Sequence, residues 1–156
     1  MYGSVYFEEY EPGVVRKTPG RTITETDVVL HAGHMGDAYP RWSGVMGEGH
    51  AHDESARRVQ DTLVFTFTIG ITASSQPINA VAFTYGYDNL RFLGSLQVGD
   101  AIWVRVTIAS KSDDPKRQDF GRVIERCETF NQNGELVFSC DHVLMVQKSN
   151  GASSIA

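Results

Sequence analysis

No apolar run in the chain reaches the roughly 18 residues expected of a membrane-spanning helix. The N-terminal Met1-Tyr2-Gly3-Ser4-Val5 lacks the charged and apolar regions of a secretory leader. A cytoplasmic location with no membrane partner is therefore expected. Basic residues are in deficit, with 14 Lys and Arg against 19 Asp and Glu and a formal net charge of -5. That balance argues against nucleic acid as the partner, because neutralising a phosphate backbone takes clustered positive charge. A phosphorylated small ligand stays open, since a few local basic residues suffice for it. Cysteine is scarce, limited to Cys127 and Cys140. Both fall in segments that read as adjacent strands, where a disulfide is geometrically feasible, but reduced, half-buried thiols are the expectation for a cytoplasmic chain. Internal repeats and low-complexity tracts are absent.

What is present suits one globular domain. The 156 residues are enough to bury a real core, and 41% hydrophobic with 21% charged residues is ordinary for such a domain. The domain is expected over residues 1–148, with a small, polar, fraying tail at 149–156. Val5 to Phe7 and Lys17 to Ile23 read as short strands around a Glu11-Pro12-Gly13 turn. Thr24 then caps a helix whose first turn carries Glu25 and Asp27, which suit the positive end of the dipole. Val28, Val29, Ala32 and Met35 form its apolar stripe, and Gly36 ends it. A second short helical piece is expected from Asp53 to Arg58.

The run Thr62 to Ala73 carries two signals in conflict. Thr alternates with Val, Phe and Ile as in a strand, whereas the length and an Asp61 at the N-cap position suit a buried helix. Beyond it, Val81–Leu93, Ala101–Lys111, Phe120–Gln132 and Glu135–Gln147 are rich in β-branched and aromatic residues. Turn chemistry separates them, and Asn133-Gly134 marks a hairpin. Ile102, Val104, Val106 and Ile108, with Val143 and Met145, alternate as a sheet with one covered face requires. Helical sequence followed by an antiparallel meander gives an α+β layout.

The chemistry-bearing residues concentrate between the two helical regions. Gly36-Asp37-Ala38-Tyr39-Pro40-Arg41-Trp42 is followed by Glu48-Gly49-His50-Ala51-His52-Asp53-Glu54. Asp37 stands in a turn framed by Gly and Pro, where it can bond backbone amides or act as a base. His50 and His52 are suited to proton traffic near neutral pH. They are also open to metal ligation with Asp53 and Glu54, or to a merely solvated loop role. His31 and His34 read as packing or surface residues, and His142 as structural within a strand.

Several short segments, in order, carry a resemblance along nearly the whole chain. They are Gly20-Arg21-Thr22-Ile23-Thr24-Glu25-Thr26-Asp27, Ala32-Gly33-His34-Met35-Gly36-Asp37 with Pro40, Ala56-Arg57-Arg58, Tyr85 to Phe92, and Val98-Gly99-Asp100. Together they resemble the MaoC-like dehydratases and (R)-specific enoyl-CoA hydratases. The resemblance implies the hotdog fold, a long central helix wrapped by an antiparallel sheet. It also makes Thr62 to Ala73 that helix, against local propensity. It further implies acid-base addition or elimination of water on an enoyl or 3-hydroxyacyl thioester, carried by coenzyme A or acyl carrier protein. No metal or redox cofactor is implied, and a homodimer paired sheet edge to sheet edge is.

Members of that family use a Gly-Asp-x-Asn-Pro-x-His motif. Matched to this chain, the Asp is Asp37, the Asn position holds Tyr39 and the His position holds Trp42. The family's His-Gly before the central helix is replaced by Gln60-Asp61. An indole has no basic nitrogen, and removing one general acid-base group costs roughly 10²- to 10⁴-fold in rate. His50 or His52, reached across a glycine-containing loop, is the expected replacement. Tyr39, Trp42, Asp61, Thr62 and Arg91 are the expected substrate contacts. The first amides of the central helix would hold an enolate oxygen, and Arg91 the coenzyme A phosphates. Alternatives are a non-catalytic acyl-thioester-binding subunit that supports an active partner, and a hotdog thioesterase.

Overall fold

The computed structural model describes residues 2–36 and 58–149. Two short strands, β1 (Tyr2–Gly3) and β4 (Ile78–Asn79), pair in parallel at the periphery. The main sheet is antiparallel, with strand order β2-β6-β7-β8-β5 and β3 also pairing with β6. Its strands are β2 (Val15–Lys17), β3 (Arg21–Thr22), β5 (Ala82–Phe92), β6 (Ala101–Asp113), β7 (Phe120–Asn131) and β8 (Leu136–Gln147). Helix α1 spans Glu25–Met35, and α2, Asp61–Ser74, lies against one face of the sheet. This is the hotdog arrangement that the resemblance implies.

The buried set on α2 explains why the Thr-rich segment is a helix. Leu63, Val64, Phe67, Thr68 and Thr72 are inside, at spacings of one, three and four residues that trace one helical stripe. The threonines that suggest a strand return their hydroxyls to the helix itself. Thr66 donates to the Thr62 carbonyl and Thr68 to the Val64 carbonyl, both at 2.9 Å. Facing α2 are Ile102, Val104 and Val106 of β6, Cys127 of β7 and Cys140 of β8, one continuous core.

Several expectations need correction. Val5 to Phe7 is not a strand. A 3₁₀ turn at Phe7–Glu9 takes its place, with the Tyr6 amide donating to Glu9 Oε2 at 2.7 Å, and it buries the Phe7 ring. Lys17 to Ile23 is broken in two, because Pro19 lacks an N–H for the ladder. Thr18 bridges the gap, its amide donating to the Val104 carbonyl and its hydroxyl accepting from the Val104 amide, both at 2.9 Å. The N-cap of α2 is Gln60; Asp61 is the first helical residue, where its charge suits the dipole. Of the expected helix from Asp53 to Arg58, residues 53–57 lie outside the described residues, and Arg58 bridges Gln97 in antiparallel fashion. The two cysteines are directly paired in register and free. They are buried rather than half-buried, because β7 and β8 are central strands facing α2.

Val143 and Met145 lie on the face turned away from α2. The register pairs Val143 with Ile124 and Met145 with Arg122, while Cys127 pairs with Cys140 on the inner face. Arg122, whose guanidinium lies 5.5 Å from the Tyr85 ring centroid, helps cover that outer face. The inner positions of β8 therefore fall at Cys140, His142, Leu144 and Val146.

Candidate functional site

Thr24 and Asp27 anchor the start of α1. The Asp27 amide donates to Thr24 Oγ1 at 3.3 Å, and the Thr24 amide donates to Asp27 Oδ2 at 2.8 Å. Arg21 adds a bidentate pair to Asp27, at 2.9 Å to each oxygen. Burial would raise the Asp27 carboxyl, but the Thr24 bonds and the Arg21 charge outweigh it and hold it below the ordinary range. At its other end α1 stops on Gly36, whose φ of +65° is the left-handed conformation that glycine adopts without strain.

So fixed, α1 lays one face on the first turn of α2. His31 Nε2 lies 2.9 Å from Thr62 Oγ1, and Thr62 donates to Met35 Sδ at 3.2 Å. A threonine hydroxyl has one proton. If that proton goes to sulfur, His31 Nε2–H is the donor in the other contact, and Nδ1 is left with its lone pair. Burial, followed by the neighbouring His34, lowers the His31 pKa. The ring is therefore neutral near pH 7 and able to accept a proton. His34 Nδ1 lies 2.8 Å from the Leu30 carbonyl, within its own helix.

The segment entering α2 is tethered by the Val59 amide, which donates to the Leu96 carbonyl at 2.9 Å. Gln60 follows, 3% exposed, and neither side-chain amide atom has a hydrogen-bond partner among the described residues. The first amides of α2 are orphans by helix geometry, and the positive end of the dipole lies there. An amide-rich helix start beside a neutral imidazole can bind a developing oxyanion and move a proton.

Of the residues expected from the sequence, Asp61 and Thr62 form the first turn of α2 and are both exposed. Arg91 stands exposed near the end of β5, donating to the Leu90 carbonyl at 2.7 Å. It belongs to the strand that runs into the 94–97 segment, to which the entry of α2 is tied. Asp37, Tyr39, Trp42, His50 and His52 lie outside the described residues. The sequence reading missed His31. Its one available signal is the four-residue spacing to Met35, which places the two on one helix face.

No protein-family model matches the chain. Over 108 residues it is 33% identical to Protein MaoC of Klebsiella aerogenes, a match covering 69% of this chain and 31% of that protein. The chain thus spans about a third of the length of that relative. Among solved structures, it is similar to a monoamine oxidase regulatory protein from Archaeoglobus fulgius, with a TM-score of 0.79 and 24% identity. That match covers 96% of this chain and 97% of the other. It is also similar to the R-hydratase PhaJ1 from Pseudomonas aeruginosa, with a TM-score of 0.72, 22% identity and coverage of 94% and 88%. At these identities the structural matches speak for the fold.

Proposed function

The chain belongs to the MaoC-like family of hotdog proteins, and on that footing we propose that it is a hydro-lyase acting on acyl thioesters. In this reading water adds across, or leaves from, the bond between the carbons α and β to the thioester carbonyl. The carbonyl oxygen rests on the first amides of α2, near Asp61 and Thr62, where helix-end dipoles stabilise the enolate. Asp37 supplies the carboxylate, and His50 or His52 supplies the imidazole that Trp42 cannot. Tyr39 and Trp42 line the substrate, and Arg91 meets the phosphates of the carrier.

The observation that carries the reading is the junction of α1 with α2. Met35, two residues before Asp37 in the chain, accepts a hydrogen bond from Thr62 in the first turn of α2. The end of α1 and the amide-bearing end of α2 are thus adjacent, as a carboxylate working on a helix-bound thioester requires. His31 is a third imidazole for the same proton transfer, already seated on Thr62. Gln60, buried and without a side-chain partner among the described residues, adds an amide donor of the kind an oxyanion uses.

The reading includes a homodimer formed along β5. That strand is a long sheet edge, and Tyr85, Phe92 and Leu93 on or beside it are 58%, 45% and 55% exposed. Long apolar edges are ready templates for pairing. The test is hydration of crotonyl-CoA, followed by loss of the enoyl absorbance. Turnover that falls on Asp37→Asn supports the proposal. No turnover at any pH favours the acyl-binding subunit instead, and release of free thiol favours a thioesterase.

A further inference from the structure

Along β7 the residues facing α2 are Val123, Glu125, Cys127 and Thr129; along β8 they are Cys140, His142, Leu144 and Val146. Glu125 and His142 stand directly opposite one another in this otherwise small or apolar set. Glu125 is 3% exposed, and burying a carboxylate costs several kcal/mol unless it is well paired. Its Oε2 accepts from His142 Nδ1 at 3.1 Å, and Arg16 Nη2 stands 3.6 Å from Oε1, beyond hydrogen-bond length. A carboxylate offers about four lone-pair sites, so acceptor capacity remains.

The far side of the imidazole is held by a local irregularity in β5. A bulge at Tyr85 shifts the register between Thr84 and Gly86, so that Thr84 and Tyr87 both reach His142. Thr84 Oγ1 lies 3.0 Å from Nε2, and the Tyr87 ring stacks on the imidazole with centroids 4.7 Å apart. The ring is gripped on both nitrogens and one face.

Glu125 and His142 line a cavity of about 200 Å³ between the C-terminal half of α2 and strands β5, β7 and β8. Much of the remaining wall is apolar, including Ile69, Ala73 and Leu144. Thr72 also lines it. This residue is 5% exposed, and its hydroxyl has no partner among the described residues. Thr72 lies eleven residues beyond Asp61 in α2, roughly 16 Å along the axis at 1.5 Å per residue. The cavity is therefore distinct from the helix start where the thioester is placed.

We infer that this cavity binds a free, neutral small molecule with a body the size of one aromatic ring and a single hydroxyl, a phenol or an alcohol of similar bulk. Size comes first. An apolar cavity of about 150 Å³ takes up benzene, so the larger space here holds a ring plus one polar substituent. Charge comes second. Arg16 already balances Glu125, which favours a neutral donor over an ammonium group. Polarity comes third. A ligand hydroxyl can donate to the Glu125 carboxylate and accept from Thr72 Oγ1, satisfying both. The inference stands independently of the hydro-lyase reading.

The test compares phenol with toluene, which has the same shape without the hydroxyl, by calorimetric and NMR titration of the full chain. Phenol is expected to bind at least about tenfold more tightly, the factor that one hydrogen bond to a charged acceptor supplies. Thr72→Val and Glu125→Gln should each weaken phenol several-fold and leave toluene unchanged. NMR spectra of each variant report whether it is folded, and either one suffices for the comparison. Equal affinity for the two probes, no phenol binding at millimolar concentration, or folded variants that bind phenol unchanged would overturn the inference.

Discussion

Gly121 sits under the ring of Phe7, and a methyl group there should strain the packing or displace that ring from the sheet. A Cβ on Gly121 would lie 2.3 Å from Phe7 Cδ2 and Cε2 and 2.6 Å from Cγ. Carbon atoms pack at about 3.5–4.0 Å, so the ring would have to retreat by roughly 1.2 Å or more. Phe7 is 9% exposed and packed in a cluster with Ile108, Val123, Leu144 and Val146. Either the core strains, at about 1–3 kcal/mol, or the ring leaves, forfeiting about 1.5–3 kcal/mol of burial. These are alternatives and the cheaper one sets the cost, so Gly121→Ala should cost about 1–3 kcal/mol. With a denaturant slope of about 1–3 kcal/mol per molar in urea, the midpoint falls by about 1 M. The informative arm is the double variant. Phe7→Ala removes the obstacle, so Gly121→Ala added to it should cost almost nothing. Additive penalties from the two substitutions, or an unchanged midpoint for Gly121→Ala alone, would refute the packing described for this face.

Three further outcomes can be checked. Burial would raise the Asp141 carboxyl, but hydrogen bonds from Arg126 and Asn89 and the Arg126 charge hold it below its ordinary value. A depressed folded pKa stabilises fully above the unfolded value of about 3.9 and is lost as pH falls through the folded value. Asp141→Asn should therefore cost up to about 1 kcal/mol at pH 7, since Arg126 is 47% exposed, and progressively less in acid; a penalty constant from neutral to acidic pH would contradict this. Cys127 and Cys140 are 2% and 1% exposed, and the hydrogen bond between them pushes the Cys127 thiol up while it lowers Cys140; burial should therefore keep a thiol reagent from either cysteine in the native chain, and both should react after denaturation. Finally, light scattering should show a dimer that Leu93→Glu drives toward monomer; a monomeric unaltered chain would remove β5 as the interface.

The second half of the fold was legible in the sequence because its strands are long, β-branched and separated by turn residues. Gly134, with φ of +79°, closes the β7–β8 hairpin where Asn133-Gly134 marked it. The first half was less so. Between Lys17 and Ile23 local composition reads as strand, and only the Thr18 pairing with Val104 shows how Pro19 is accommodated. Thr62 to Ala73 was ambiguous for a physical reason: threonine hydroxyls that satisfy their own helix look, in a sequence, like strand-forming β-branched residues. His142 was read as structural because it falls within a strand, and Val143 and Met145 were read as alternating on the covered face. The register puts them on the other side and turns His142 inward, toward Glu125. Periodicity gives the spacing of buried residues but not which parity faces the helix. At the candidate site, Asp61 and Thr62 were expected as substrate contacts from the resemblance, whereas the contact of His31 with Thr62 became visible only once α1 was packed on α2.

The hydro-lyase reading meets its most direct test in crotonyl-CoA, incubated with the unaltered chain and with Asp37→Asn while absorbance at the enoyl band is followed. Loss of the band in the first sample, slowed by about 10²-fold or more in the second, is the expected result. An unchanged band in both, or equal rates in both, would contradict water addition governed by the carboxylate that follows α1.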